Sequence, residues 1–365
     1  MLTPLLPGLA RDFGLGPAET GVLVSAATFA TLAAAVPAGL LAQRIGALRV
    51  SLAAGALIAV AAALQALAAS FPLFLAGRLV FGVGFAAIWT AGVTLVSAAD
   101  APRAAIGATI AAGGLAHLAG PPLSGVLGEL VGRSLPFWLL AAASASVTLL
   151  VAGVRTRAVD AAPSGGLRAV ASAARSDVTL RGAIVLIALV GVLTGLVPLV
   201  APLILDRAGF SSAGIGAVFA LSSVVWIGAS LLAARTGARA MTMGGAAAGL
   251  ALLAVASSMP VLTLAAPCIV GFLMLRAAVQ APLNTMSYDL AARGARSSHV
   301  ASATAIGFLN VVWAAAATAT PLLAGVLLSG AGPRWVFVLL ASACAVTALA
   351  MWRAAATGDA LPAPA

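Results

Sequence analysis

The chain contains no lysine: all 19 of its basic residues are arginine, set against nine acids, and charged residues make up 8% of 365. A soluble domain carries roughly 25% charged residues, so a water-exposed globule is excluded. The 62% hydrophobic composition instead reads as an integral membrane protein. Arginine without lysine, beside so much alanine, reads as the codon usage of a GC-rich bacterial genome. The two cysteines, Cys268 and Cys344, both fall inside apolar runs without metal-type spacing. They exclude a disulfide framework and read as packed core. The sequence holds no nucleophile–base pair, metal cluster or nucleotide-binding loop, so neither an enzyme nor a cofactor is expected. The net charge of +10 does not mark a nucleic-acid surface. Such a face needs clustered charge, and here the arginines are scattered between apolar runs. The acids are missing from one place in particular. Asp12, Glu19, Asp100, Glu129, Asp160, Asp177, Asp206, Asp289 and Asp359 all lie in loops, tails or at helix ends. No carboxylate is expected mid-membrane to carry a proton or bind a lipophilic cation.

What is present is a succession of apolar runs, at 20–43, 48–70, 72–97, 104–128 and 134–154, then 182–205, 213–234, 240–258, 260–288, 300–329 and 334–353. A spanning helix needs roughly 20 apolar residues, so these define about eleven full transmembrane helices. Met1 to Leu9 is too short to span and lacks the basic start and cleavage site of a signal peptide. It reads as a stub, the tail of a truncated first helix. The expected organisation is an all-α membrane protein of two pseudo-symmetric six-helix bundles. The bundles cover 1–154 and 182–354, with a polar linker at 155–181 around Pro163-Ser-Gly-Gly166 and a tail at 355–365. Leu167 to Arg175 is read as plain linker, with a short surface helix as the alternative. Thirteen arginines fall on the linker's side of the membrane and four, Arg11, Arg133, Arg207 and Arg334, on the other. The positive-inside rule then places linker and C-terminus in the cytoplasm.

The stretch Ile106 to Leu127 is the least ordinary. Ala116, Gly120 and Ser124 form one small-residue stripe, and Gly107, Gly114 and Gly125 with Pro121 form another on the far side. Such stripes let helix backbones approach closely in lipid, and Gly-Pro-Pro in mid-span favours a bend. The halves also repeat. At an offset of 200, Ile106-Gly107, Pro121, Gly125 and Phe137 match Ile306-Gly307, Pro321, Gly325 and Phe337; at 195, Gly14 and Gly21 match Gly209 and Gly216. Parallel six-helix repeats around a midplane site are a transporter arrangement.

Gly39-Leu-Leu-Ala-Gln-Arg-Ile-Gly46, followed by Arg49, resembles the signature loop between the second and third helices of the major facilitator superfamily. In that pattern Gln43 stands where the family has aspartate, beside a matching Arg44 and Gly46. Losing the carboxylate removes a charge-assisted bond, so the gate latched by this loop is expected to be looser. Arg78-Leu-Val-Phe-Gly82 resembles the arginine motif of the fourth helix. Gly107, Gly120, Pro121 and Gly125 match the fifth-helix motif of the family's proton-coupled exporters, with Ala116 and Ser124 replacing glycines. The resemblance implies the major facilitator fold and alternating access between two bundles, with the first, fourth, seventh and tenth helices lining the cavity. It also implies a small-molecule solute and a proton as partners within the bilayer of a bacterial inner membrane. A monomer is expected.

Two arginines inside the spans need a reason, because a charge at the bilayer centre costs about 2.5–3.5 kcal/mol on insertion scales. Arg78 shares a helix face with Gly82, Phe85 and Trp89, and Arg276 with Gln280, Asn284 and Ser287. Both faces read as a watered cavity with the arginines touching solute, or as structural capping. Matching Pro72 to Pro260 at an offset of 188 puts Arg276 opposite Ile88, so the arginines are not expected to be repeat equivalents. His117 is a possible proton relay or a packing histidine. Asn310 and Trp313 either contact solute or tie helices together. Gly195, Pro198 and Pro202 are expected to bend the seventh helix toward the cavity, while Trp226 reads as packing. Proton-coupled efflux is the leading expectation. Uptake of a small organic anion or neutral solute is the alternative, and a non-transporting remnant is the third.

Overall fold

In a computed structural model the chain is described over residues 2–97, 102–153, 167–236 and 242–358. Regular structure among these residues is entirely helical. The helices are α1 (Leu2–Asp12), α2 (Pro17–Ile45), α3 (Ala47–Leu67), α4 (Phe71–Ser97), α5 (Pro102–Leu130), α6 (Ser134–Ala152), α7 (Leu167–Ser176), α8 (Val178–Arg207), α9 (Ser212–Thr236), α10 (Met243–Leu262), α11 (Ala266–Ser297), α12 (Ser302–Gly330) and α13 (Pro333–Gly358). The composition forces this outcome, since backbone polar groups in lipid must be satisfied within the segment. Among the described residues ten helices are long and apolar enough to cross a membrane: α2 to α4, α6, and α8 to α13. At 29 residues α5 has the length to cross as well, but the side chains of most of its first ten residues lie outside the described ones. The centre of the linker at 154–166 and the tail beyond 358 lie outside the described residues.

Two boundaries differ from the sequence expectation. Leu167–Ser176 is a helix, not plain linker, and Asp177 directly after it opens α8. Asp177 accepts from the Leu180 N–H at 2.7 Å and from the Ser298 hydroxyl at 3.3 Å, and the Ser297 hydroxyl also donates to it. It therefore caps one helix and ties it to the end of another. Asp177→Ala is expected to cost about 1 kcal/mol, the usual worth of an N-cap, read as a lowered Tm in detergent. The second difference is at Pro260, which belongs to the last turn of α10; α11 starts only at Ala266, with Pro267 as its second residue.

The repeats are visible as geometry. The turn glycines Gly14 (φ +63°) and Gly209 (φ +87°) precede α2 and α9, and Gly132 (φ +125°) and Gly332 (φ +86°) precede α6 and α13. Side chains rarely tolerate this left-handed backbone, so the register of each pair is held by the turn itself. Phe74 meets Phe137 edge-on at 5.4 Å, and Phe272 meets Phe337 edge-on at 5.3 Å.

The chain divides into two compact units. The first holds Met1–Pro163 with Gly209–Ala220 and Thr318–Gly325; the second holds Ser164–Ala208, Leu221–Ala317 and Val326–Ala365. In the first, α4 packs through Gly77 and Gly84 against Gln65 and Ile58 of α3, and through Gly82 against Ala27 of α2. In the second, Gly191 of α8 lies against the Trp313 backbone of α12, and Gly294 of α11 against Leu180 of α8.

Candidate functional site

In the second unit a polar bracket is built on α11. Arg276 donates from Nη1 to Oε1 of Gln280 at 2.8 Å and from Nη2 to the Ser222 hydroxyl of α9 at 3.1 Å. Gln280, 1% exposed, donates from Nε2 to the Val190 carbonyl at 3.2 Å and to the Thr194 hydroxyl at 3.5 Å, both on α8. Ser222 donates to the Leu273 carbonyl at 3.4 Å. One guanidinium thus joins α8, α9 and α11 through neutral oxygens, and its Nε stays buried without a partner. The rest of the expected stripe is less engaged. Asn284 is half-buried, and its backbone carbonyl accepts from Ser287 at 2.7 Å. Asn310 accepts from the Tyr288 hydroxyl at 2.9 Å, a tie from α11 to α12.

The first unit holds the other arginine, in different company. The Arg78 guanidinium lies over the Phe81 ring at 5.6 Å from its centroid. Phe81 stacks on Phe85 at 6.2 Å and 15°, and Phe85 on Trp89 at 6.2 Å and 22°. Among the described residues Arg78 makes no hydrogen bond or ion pair, and its Nε is buried and unsatisfied.

The arginines are repeat equivalents, which corrects the expectation drawn from Pro72 and Pro260. Phe74-Leu-Ala-Gly-Arg78 and Phe272-Leu-Met-Leu-Arg276 share Phe-Leu-x-x-Arg at an offset of 198. Their phenylalanines make the same edge-on contact with the repeat pair Phe137 and Phe337. The earlier match failed because Pro260 ends α10 instead of starting α11. With the register set, Ser222 and Gln280 fall opposite Ala27 and Gly82. The second repeat supplies its arginine with two oxygens, and the first supplies none at those positions.

The residues expected to gate divide in the same way. Gly46 adopts φ +96° and alone separates α2 from α3, with Gln43 and Arg44 exposed beside it. A Cβ on Gly39 would make ordinary contact with Thr90 at 3.5 Å. Gly125 touches the Ser212 carbonyl at the start of α9, and a Cβ on Gly216 would sit 2.7 Å from the Pro121 carbonyl. The same crossing is repeated between α2 and α12. Gly21 lies against the Pro321 carbonyl, and a Cβ on Gly325 would sit 2.7 Å from the Pro17 carbonyl. Gly21 with Gly216, Gly125 with Gly325 and Pro121 with Pro321, which keep register in the sequence, are therefore parts of two reciprocal crossings, all within the first unit. A Cβ on Gly120 would meet nothing within 4 Å, and the surroundings of Gly107 lie outside the described residues. His117 is exposed, with Nδ1 2.9 Å from the Gly113 carbonyl of its own helix.

Sequence reasoning missed Glu129, at the end of α5. It accepts from the Ala213 N–H at 3.0 Å, in the first turn of α9. That bond, and then one from Ser211, hold its carboxyl below the usual carboxylate range. The carboxylate, an acceptor for the free N–H groups of a helix start, was the available signal.

The sequence model described as Major Facilitator Superfamily matches residues 1–306, and the chain belongs to that superfamily. It is a multi-pass membrane protein of a transporter family. It is 34% identical over 145 residues to the MFS-type transporter ppzB of Metarhizium rileyi (strain RCEF 4871), a match covering 38% of this chain and 30% of that protein. The chain thus spans less than a third of that relative. Among solved structures it resembles a bacterial homolog of the human lysosomal transporter Spinster, inward-facing and unoccupied (TM-score 0.76, 16% identity, 100% of this chain and 95% of that one). It also resembles the nucleoside transporter NupG (TM-score 0.77, 13% identity, 96% and 94%) and the human organic anion transporter MFSD10 (TM-score 0.69, 19% identity, 96% and 94%). At these identities the likeness is one of fold.

Proposed function

We propose that this chain is a secondary active transporter that carries a small solute by alternating access, as a monomer in a bacterial inner membrane with its C-terminus cytoplasmic. Its two bundles, 1–154 and 182–354, are joined by the stretch 155–181. The pair of repeat-related crossings carries this reading. Each is a glycine set against a bare carbonyl near a helix end, with one side-chain hydrogen bond beside it, from Ser25 at one crossing and to Glu129 at the other. In lipid such contacts have no hydrophobic drive behind them, so they part and re-form at low cost. Arg78 and Trp89 provide the solute contact. Arg276 and Gln280 hold the frame of the second unit, with Asn284 and Asn310 beside it.

Efflux in exchange for protons is the first direction, supported by Gly125 and Pro121 lying at the α5–α9 crossing. Uptake of an organic anion is the second. It is favoured by the two half-buried arginines inside the spans and by the position of Asp289, which is paired with Arg293 and partly exposed, two turns before the end of α11. Vesicles loaded with a transported solute separate the two. A proton-coupled exporter stops when nigericin collapses the pH gradient. Continued flux at the same rate rules out proton exchange.

A further inference from the structure

We propose that Arg78 and the Phe81–Phe85–Trp89 ladder bind an aromatic monoanion, a flat ring system bearing one carboxylate, as the solute class of the transporter reading on which this rests. The comparison between repeats carries the argument. Arg276 spends both Nη groups on Gln280 and Ser222. Its twin has Ala27 and Gly82 at those positions and makes no hydrogen bond among the described residues. A guanidinium with its Nε buried and its fork unused is a bidentate site for a carboxylate. In place of the lost oxygens the first repeat carries rings: Phe81, Phe85 and Trp89 stand where the second has Val279, Leu283 and Ser287.

The ladder does not face lipid. At 100° per residue Arg78, Phe81, Phe85 and Trp89 occupy one arc of about 80°, so a ring turned to hydrocarbon would take the guanidinium with it. That placement is costly without partners. Nor does Arg78 snorkel toward the start of α4, since its guanidinium stays beside the Phe81 ring. On either side of this arc α4 packs on α3 at Gly77 and Gly84 and on α2 at Gly82, and its exposed aliphatic side chains, Leu73, Leu79 and Val83, lie on another face. Phe85 is 40% and Trp89 57% exposed, so the ring surfaces are uncovered. An aromatic acid fits this strip, with its carboxylate on the Arg78 fork and its ring on Phe85 and Trp89.

Equilibrium dialysis with the full chain in lipid nanodiscs tests this, using radiolabelled 2-naphthoate, 2-naphthamide and acetate. The expected result is saturable naphthoate binding, about tenfold or more tighter than naphthamide, the margin of a charged hydrogen bond, with acetate weaker still. Arg78→Gln should bring naphthoate down to the level of naphthamide, and Trp89→Ala should weaken both ring compounds together. If Arg78→Gln fails to fold, Trp89→Ala and Phe85→Ala, on exposed rings, still decide the outcome. Equal affinity for naphthoate and naphthamide, or naphthoate binding untouched by Trp89→Ala and Phe85→Ala, overturns the proposal. Flux into vesicles is read separately. Naphthoate bound but never moved would sink the transporter reading and leave the site standing, whereas flux of other solutes without naphthoate binding would do the reverse.

Discussion

Gly21→Val and Gly216→Val are each expected to reduce transport at least tenfold while the protein still inserts and folds. Any Cβ at Gly21 would overlap the Pro321 carbonyl, and at Gly216 it would sit 2.7 Å from the Pro121 carbonyl and 3.0 Å from Cα of Pro122. The obstructing atoms are backbone, which cannot rotate away as a side chain would. Valine adds two further methyl groups, so the helices must separate. Overpacking of this kind costs about 1–3 kcal/mol, a penalty that falls on the closed crossing and not on the open one. The state balance therefore shifts by a factor of about ten or more. Gly120→Ala is the internal control. Gly120 belongs to the same glycine–proline stretch but has open space around it, so its rate should stay near that of the native chain.

A readout that needs no solute is available at Ser25, which is 2% exposed and donates to the Thr318 carbonyl at 2.8 Å across the α2–α12 crossing. In a chain with Cys268 and Cys344 replaced by alanine, Ser25→Cys should resist a membrane-impermeant maleimide. Adding Gly21→Val should make it react. Slow labelling in both backgrounds would mean that the crossing does not open as described. Glu129 adds a pH-dependent bond beside the neighbouring crossing. Its depressed pKa means that the ionised, hydrogen-bonded form persists at and above the ordinary carboxylate range. That contribution is lost only as pH falls through the lowered value.

How much of this was legible follows from which signals were local. The crossings were visible as Gly21 with Gly216 and Pro121 with Pro321, because a contact between backbones selects the same small residues twice and nothing else in an Ala/Leu-rich helix keeps register. The partners of those glycines were not visible, since a sequence does not say which helix a bare face meets. The Arg276 stripe was read from helical spacing, but Ser222 lies 54 residues away on another helix, and no periodicity reports that. The repeat register of the arginines was obscured by Pro260, which a helix end accommodates as readily as a helix start. The helix at 167–176 was passed over because a short surface helix needs no apolar run. Its neighbour Asp177, an N-cap residue just ahead of Val178, was the readable mark.

The Arg276 bracket leads to the second large effect. Gln280→Leu removes the acceptor for Nη1 and leaves a half-buried cation with one partner fewer, while the Val190 carbonyl keeps the Thr194 hydroxyl as a donor. Losing a hydrogen bond to a charged group costs about 1.5–3 kcal/mol. Replacing the whole set with apolar groups of similar volume is often neutral, because the desolvation of the charge disappears along with its bonds. Gln280→Leu alone should therefore lower the Tm sharply, and Arg276→Met together with Gln280→Leu should recover most of the loss. A double-mutant cycle on thermal or denaturant unfolding measures this directly. Single effects that simply add would mean that the two side chains act independently and that the bracket is not a unit. The functional consequence goes the other way. The stable double variant keeps α8 and α11 packed but lacks the tie at mid-span, so its transport rate should remain low although its Tm has returned. Recovery of both together would assign Arg276 to stability alone, and recovery of Tm without rate makes it a positioning residue for the moving helices.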